Sequence, residues 1–145
     1  MKATIEFQHG VHFKGTSGTG HDILMDGPPE SGGQDLGARP METLLIGMGG
    51  CASYDVVFIL RKRRLEVTSC IAEIDAERAD TDPKVLTKIH LHFKVSGVGL
   101  TDKAVSKAVE LSAEKYCSAS IMLGKTAEIT HSHEIIEWRP LEAKP

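Results

Sequence analysis

The chain has 145 residues, of which 41% are hydrophobic and 26% are charged. This composition is typical of a globular domain and excludes a disordered or fibrous chain, so we expect a single domain over residues 1–145. The formal net charge of −3 provides no basic surplus to neutralise phosphates, so no nucleic-acid partner is expected.

Three cysteines, Cys51, Cys70 and Cys117, form no closely spaced CxxC pair. The first residues, MKATIEFQHG, lack the apolar core of a signal peptide, so a reducing cytoplasm is the expected location. In that compartment a cysteine is either a small buried apolar side chain or a reactive thiol, and composition leaves both alternatives open.

Short strands separated by glycine-containing turns are predicted at the amino terminus. They cover residues 4–8, 12–15 and 21–26, and they form an antiparallel meander in this interpretation. A loop over residues 27–39 follows, with four glycines and two prolines. A loop of this length suggests a function, such as covering a site.

Residues 40–62 are predicted to form one long helix. Pro40 suits the first turn, and apolar side chains recur at three- and four-residue steps. Because the segment is apolar almost all the way round, we expect a core helix buried by other elements rather than exposed along one face. Its length and the basic run at 61–64 also resemble a membrane span. An Asp inside such a span costs about 2.5–3.5 kcal/mol, however, and Asp55 is present, so no membrane partner is expected.

The rest of the chain is predicted to contain two strands, two helices and a last strand. Alternation of apolar and polar residues indicates the strands, and helical spacing after a cap at Thr101 indicates the first of these helices. These elements cover, in order, residues 70–77, 88–95, 100–116, 118–124 and 127–138, with a break at Cys117 and a loose tail over 139–145. Runs of strands without regular βαβ alternation predict an α+β fold with antiparallel sheets around the long helix.

Cys51 and Cys117 differ in their sequence context. Cys51 lies inside the apolar helix, where burial disfavours a thiolate, and Asp55 shares its face and would raise its pKa. Cys117 lies at the start of a later helix, where free backbone N–H groups favour a thiolate. Taken alone, each cysteine is explained by a structural role, with catalysis as the alternative.

Two stretches that contain these cysteines resemble a known family. PMETLLIGMGGCASYDVV at 40–57 and SAEKYCSAS at 112–120 are similar to the OsmC/Ohr family of osmotically inducible and organic hydroperoxide resistance proteins. GHDILMDG and LSAEKYCS look closest to its YhfA-like branch. The order of elements agrees over nearly the whole chain. The resemblance implies an intertwined homodimer with two antiparallel sheets around central helices.

The resemblance also implies a thiol-dependent peroxidase that reduces organic hydroperoxides in oxidative-stress defence. Cys51 would attack the peroxide as nucleophile, Cys117 would resolve the resulting sulfenic acid as a disulfide, and an external dithiol would reset both thiols. In the family, a Glu ten residues before the first cysteine and an upstream Arg polarise the nucleophile and the peroxide. Met41 stands at the position of that Glu.

Glu42 and Arg39 are the candidate replacements for the missing activators. Each has a second interpretation: Glu42 as a carboxylate that stabilises the amino terminus of the helix, and Arg39 as a solvated loop residue. Because the family Glu is absent, the alternative function is a non-peroxidatic OsmC-like protein that binds a small apolar ligand or senses redox state.

Two histidine pairs also raise the question of a metal site. His90 and His92 share one face of a predicted strand, and His131 and His133 share one face of another. Pairing of these strands could bring four imidazoles together as metal ligands. Solvated or hydrogen-bonded histidines are the preferred interpretation, and we expect neither a bound metal nor a cofactor.

Overall fold

The computed structural model describes residues 1–137. Trp138, at the end of the predicted last strand, and the predicted tail over 139–145 lie outside the described residues. The chain forms two compact units, Met1–Ile46 and a second that begins at Gly47. Each unit has its own three-stranded sheet.

The first unit holds the predicted meander. Its strands are antiparallel in the order β1-β2-β3, with bounds β1 Ala3–His9, β2 His12–Ser17 and β3 Asp22–Asp26. The following loop contains one 3₁₀ turn, Pro29–Ser31. Backbone N–H groups of Gly27, Gln34 and Leu36 donate to the carboxylate of the buried Asp26 at 2.8–3.1 Å. This carboxylate therefore holds much of the loop in place.

Helix α1 spans Pro40–Lys62, as the apolar spacing predicted. The carboxylate of Glu42 accepts the backbone N–H of Arg39 at 2.8 Å, which satisfies a donor at the start of the helix. The second interpretation of Glu42, as a residue that stabilises this helix end, thus has a direct structural basis.

The expectation that α1 is buried on every side is wrong for the single chain. Its buried residues follow one stripe, at Met48, Gly49, Ala52, Val56 and Leu60, whereas Tyr54 and Phe58 on another face are exposed. Apolar spacing indicates which residues of a helix are unfavourable in water, but it does not show which faces of the helix are covered by its own chain. By length and hydropathy alone, α1 would also suit a membrane span.

The second unit contains the longer sheet, in the order β4-β5-β6, with bounds β4 Glu66–Arg78, β5 Leu86–Val98 and β6 Glu128–Ile135. Strands β4 and β5 are antiparallel, but β5 and β6 are parallel. The α+β class is confirmed, whereas the expectation of purely antiparallel sheets is wrong for this pair. The connection from β5 to β6 contains helices, and such a long crossover is what allows neighbouring strands to run in parallel.

The crossover consists of α2, a π-helical turn and α3, with bounds Asp102–Leu111, Ser112–Tyr116 and Ser118–Leu123. The hydroxyl of Thr101 accepts the backbone N–H of Ala104 at 3.2 Å, which confirms the predicted cap. The predicted helix over 100–116 is wrong in its last turn, because the chain widens there into π geometry. The core of this unit is formed mainly by Met48, Val56, Leu60, Ile89, Leu91, Phe93, Val95 and Val105.

Candidate functional site

The structure brings Cys51 and Cys117 together, as the resemblance implied. The two Sγ atoms and a carboxylate oxygen of Asp55 all lie within 4.8 Å of one another. Helix α1 carries Cys51 and Asp55 one turn apart on the same face, while Cys117 comes from the junction between the π-helical turn and α3. Two thiols and a carboxyl group therefore form a compact cluster, and we call these three residues the thiol cluster.

The π-helical turn places Cys117 in this cluster. The backbone N–H of Cys117 donates to the carbonyl of Ser112 at 2.8 Å, which closes the wide turn. The buried hydroxyl of Ser112 lies 3.2 Å from the carbonyl of Ala52 and 3.4 Å from Oδ2 of Asp55. One serine thus fixes the turn to α1 and orients the carboxylate of the cluster. Single π turns of this kind are often found at functional sites.

Cys51 is the more ionisable thiol of the pair. Burial by itself raises the pKa of Cys51, but hydrogen bonds from the backbone N–H of Ala119 and from the side chains of Cys117 and Ser118 outweigh it. The charge of Asp55 raises the pKa, as the sequence predicted, yet the net shift is below the ordinary thiol value. Hydrogen-bond donors therefore favour the thiolate despite the neighbouring carboxylate.

Cys117 is the less accessible thiol. Its side chain is 0% exposed, whereas Cys51 is half-buried. Burial raises the pKa of Cys117, although Ser120 opposes this by donating its hydroxyl at 3.1 Å and its backbone N–H at 3.4 Å to the sulfur. Cys51 is therefore the more exposed thiol and the one that ionises more readily, whereas Cys117 is enclosed and stays protonated at neutral pH.

Asp55 is a carboxyl group in a half-buried position. Burial raises its pKa, and the hydroxyl of Ser112 opposes the shift. Within residues 1–137, no Lys, Arg or His nitrogen lies within 4.0 Å of its carboxylate. Its charge is therefore not paired with a cationic side chain of the described chain.

Cys70 stays outside the thiol cluster. It lies on β4 in a half-buried position, where burial raises its pKa and a hydrogen bond with Ser53 opposes the shift. The raised pKa keeps this thiol protonated and weakly reactive at neutral pH, so the structure supports a packing role for this residue.

Arg39 and Glu42 meet each other in the first unit. Besides the hydrogen bond at the start of α1, the guanidinium of Arg39 lies 3.5 Å from the carbonyls of Asp26 and Gly37 and 3.6 Å from the carboxylate of Asp35. Arg39 is thus bound to loop backbone rather than freely solvated. A role of either residue in activating a thiol stays a prediction.

The histidine pairs lie on opposite faces of the β5–β6 sheet. In the parallel register His90 pairs with Thr130, and Leu91 pairs with His131, so the pairs alternate between faces. His90 and His92 both contact the hydroxyl of Ser132, at 2.8 and 2.7 Å. On the other face, Nε2 of His133 lies 2.8 Å from a carboxylate oxygen at the start of α2. The strands pair, but they do not bring the four imidazoles to one point.

A groove of about 340 Å³ begins beside Asp55. Aromatic side chains of Tyr54, Phe58 and Tyr116 line it, and the rings of Tyr54 and Phe58 stack with centroids 5.8 Å apart. Lys62 lies over the Phe58 ring at 4.7 Å. The thiol cluster therefore adjoins an aromatic surface with a cation at one end.

Comparison with known proteins identifies the family. The sequence model described as "OsmC-like protein" matches residues 32–132, which include both Cys51 and Cys117. The chain belongs to the OsmC family. Protein YhfA of Escherichia coli (strain K12) is 47% identical to this OsmC-like chain over 136 residues, which cover 94% of this chain and 98% of YhfA.

Solved structures share the fold. A hypothetical protein from Aquifex aeolicus VF5 has a TM-score of 0.82 at 29% identity, covering 95% of this chain and 97% of its own. An organic hydroperoxide resistance protein OsmC from Legionella pneumophila has a TM-score of 0.70 at 15% identity, covering 92% and 97%. At that identity the second comparison shows the OsmC-like fold alone.

The serines around the sulfurs were not among the candidate residues indicated by the sequence. Ser112 and Ser118 are six residues apart, a separation at which α-helical spacing predicts different faces, and Ser120 follows the break at Cys117. Asp55 was found because it lies on the same regular helix as Cys51, where spacing is a reliable guide. No comparable signal exists for residues whose positions depend on a π turn and on the start of α3.

Proposed function

We propose that this OsmC-like chain is a thiol-dependent reductase of organic hydroperoxides, with Cys51 as nucleophile and Cys117 as resolving thiol. The observation that carries the proposal is a pair of cysteine sulfurs within 4.8 Å of each other that differ sharply in access to solvent. A disulfide needs the two sulfurs at about 2.05 Å, so only a small local movement separates the reduced pair from the bonded one.

The first step breaks the peroxide O–O bond. The Cys51 thiolate attacks the terminal oxygen of ROOH, the sulfur takes that oxygen as a sulfenic acid, and the alkoxide leaves as ROH with a proton from solvent. Attack requires an accessible thiolate. Cys51 has the lower pKa and the greater exposure of the pair, and this supports its role as the nucleophile.

The second step joins the two cysteines. The sulfur of Cys117 attacks the Cys51 sulfenic acid, a disulfide forms, and the oxygen leaves as water. An external dithiol then reduces the disulfide and becomes a disulfide itself, which restores both thiols. The enclosed position of Cys117 suits a thiol that must meet Cys51 and avoid direct oxidation.

The aromatic groove supports an organic rather than an inorganic peroxide. Tyr54, Phe58 and Tyr116 offer apolar ring surface next to Asp55, and burial of an alkyl or aryl group there contributes roughly 25 cal/mol per Å² of apolar area. Hydrogen peroxide has no such group to bury.

The proposal includes a homodimer located in a reducing cytoplasm. Apolar side chains are exposed in each unit, including Ile5 and Phe7 on β1 and Tyr54 and Phe58 on α1. Ile5 and Phe7 are two residues apart and so share one face of β1. Exposed apolar surface of this kind marks interaction sites, and a second copy of the chain would cover it. Light scattering that gives the 15.7 kDa mass of one chain would contradict the dimer, and twice that mass would support it.

Anaerobic reaction of the reduced protein with one equivalent of cumene hydroperoxide tests the activity. Intact mass and peptide mapping should show a Cys51–Cys117 disulfide, reversible by a dithiol. Cys51→Ser should abolish the reaction, and Cys117→Ser should stop it at the sulfenic acid. Cys70→Ser, a matched control outside the cluster, should behave as the wild type. Thiols that stay reduced would overturn the proposal and favour the alternative of ligand binding without turnover.

A further inference from the structure

We infer that the reduced thiol cluster of Cys51, Asp55 and Cys117 is also a binding site for one thiophilic divalent cation of the Zn²⁺ type. Binding requires only the reduced side chains, so the inference stands independently of peroxide turnover. The cation would be a second ligand of the thiol cluster, for which we propose redox chemistry.

The donor atoms match the preferences of zinc. Zinc in proteins is bound by thiolate sulfur at about 2.3 Å and carboxylate oxygen at about 2.0–2.2 Å, in tetrahedral geometry. Two thiolates on one such ion lie about 3.8 Å apart, and the three donor atoms here already lie within 4.8 Å of one another. A contraction of about 1 Å would bring all three onto a single ion.

The backbone holds the ligands in an arrangement suited to a shared ion. Cys51 and Asp55 are one turn apart on α1, and Cys117 is anchored by the bond from its N–H to the carbonyl of Ser112. The hydroxyl of Ser112 also contacts Oδ2 of Asp55 at 3.4 Å and so orients the carboxylate. Partners of this kind, which orient a ligand without touching the metal, raise metal affinity substantially.

The charge of the cluster also calls for a cation. No cationic side chain within residues 1–137 lies within 4.0 Å of the Asp55 carboxylate, although it sits half-buried beside two sulfurs. Burial of a charged carboxylate is costly unless the charge is paired or bound to a metal, and Asp55 bears part of that cost in its half-buried position. Three protein ligands leave one tetrahedral position open, which a water molecule or an external thiol would occupy.

Metal binding is a proton exchange with no change of oxidation state. Each cysteine that is still protonated gives its proton to solvent as its sulfur binds the ion, and the carboxylate binds in its charged form. Oxidation to the disulfide removes both thiolates, so the oxidised protein loses the site. The ion and the peroxide therefore compete for Cys51.

The test uses Cd²⁺ and Zn²⁺ on the reduced full-length chain under anaerobic conditions. Cd²⁺ reports thiolate ligation through its sulfur-to-metal ultraviolet absorption, and Zn²⁺ affinity is measured by competition with a chromophoric chelator. We expect one ion per chain in both assays. Protein oxidised with diamide, which makes the disulfide without any peroxide, should bind neither ion at this site.

Variants assign the ligands. Asp55→Asn should weaken Zn²⁺ binding by at least about tenfold, since loss of even an outer partner typically costs 10- to 100-fold. Asp55→Glu should restore part of that affinity, and circular dichroism checks that both variants are folded. Cys70→Ser should leave stoichiometry and affinity unchanged.

Either of two results would overturn the inference: reduced wild type that binds no stoichiometric Cd²⁺, or Asp55→Asn that binds Zn²⁺ as tightly as wild type. Neither result depends on hydroperoxide activity, so the metal site and the peroxidase are judged separately.

Discussion

Ser120 donates two hydrogen bonds to the sulfur of Cys117, one from its hydroxyl at 3.1 Å and one from its backbone N–H at 3.4 Å. Both bonds favour the thiolate, because a hydrogen bond to the charged form lowers a pKa. They act against the burial that raises the pKa of Cys117. Ser120 therefore eases deprotonation of a thiol that is shielded from water.

Replacement of Ser120 with alanine should slow disulfide formation. Ser120→Ala removes the hydroxyl donor, so the pKa of Cys117 rises further and less thiolate is available to attack the Cys51 sulfenic acid. One lost hydrogen bond to a charged group corresponds to about 1.5–3 kcal/mol, or roughly a 10- to 150-fold slower step. Trapping of the sulfenic acid with dimedone after a single peroxide addition measures this.

Ser106→Ala is the matched control for Ser120→Ala. Ser106 lies on α2 in a half-buried position, and its hydroxyl makes no hydrogen bond with another side chain or with backbone in residues 1–137. Its replacement should leave the lifetime of the sulfenic acid unchanged. Equal lifetimes in Ser120→Ala and wild type would contradict the role given to Ser120.

The three cysteines should alkylate at different pH values. The pKa of Cys51 is lowered, whereas burial raises the pKa of both Cys70 and Cys117. The thiolate is the reacting form, so labelling of Cys51 should persist as pH falls below the ordinary thiol pKa of about 8.5, where the other two are protonated. Iodoacetamide labelling with peptide mass spectrometry at a series of pH values measures the order, and faster labelling of Cys117 than Cys51 would contradict it.

Asp26 should make the first unit sensitive to acid. Hydrogen bonds from the backbone N–H groups of Leu36 and Gln34 hold the pKa of Asp26 below its usual value. A lowered native pKa stabilises the fold at pH values above the unfolded pKa of about 3.9, and this stability is lost as pH falls through the native pKa. Asp26→Asn should therefore lower the thermal midpoint at pH 7, and the difference from wild type should shrink on acidification.

Glu30→Gln serves as the control for Asp26→Asn, because Glu30 is an exposed acid in the same loop. Its replacement should not change the thermal midpoint measured by circular dichroism. The explanation would be contradicted if the thermal midpoint of Asp26→Asn fell further below that of the wild type as the pH decreased.

Ser132 should contribute to the pairing of β5 with β6. Its hydroxyl lies between Nε2 of His90 and Nδ1 of His92, donating to one ring and accepting from the other. Ser132→Ala removes two hydrogen bonds of about 0.5–1.5 kcal/mol each, so the free energy of unfolding should fall by about 1–3 kcal/mol. Urea unfolding measures the change. Ser69→Ala on β4 is the control, and equal losses in the two variants would count against the bridge.

The elements that follow from local spacing could be predicted from the sequence. The bounds of α1 agree with the apolar steps after Pro40, and the alternation around Ile74 and Leu91 correctly indicated strands. The direction of β6 could not be predicted, because alternation defines the faces of a strand and not the direction of its neighbour. The exposure of the α1 face that carries Tyr54 likewise could not be predicted, because apolar spacing does not show which face of a helix its own chain covers.

The thiol cluster could be predicted in part. Asp55 follows from its spacing to Cys51 on a regular helix, but the proximity of Cys51 to Cys117 came from family resemblance. Long-range proximity depends on tertiary packing, which local periodicity does not encode. The donors at Ser112 and Ser118 depend on where the chain departs from α geometry, and the apolar spacing of residues 104–111 continues smoothly up to that point.

The turn at Ser112–Tyr116 is wider than an α-helical turn. The proximity of the two sulfurs therefore depends on the number of residues in this turn and not only on its side chains. A regular α-helix rotates about 100° per residue, so deletion of one residue from this turn would swing the following cysteine by about a quarter of a turn. Both cysteines and every serine of the site could remain in the gene while their proximity was lost. A single-codon insertion or deletion in this turn would thus separate the two sulfurs without changing either cysteine.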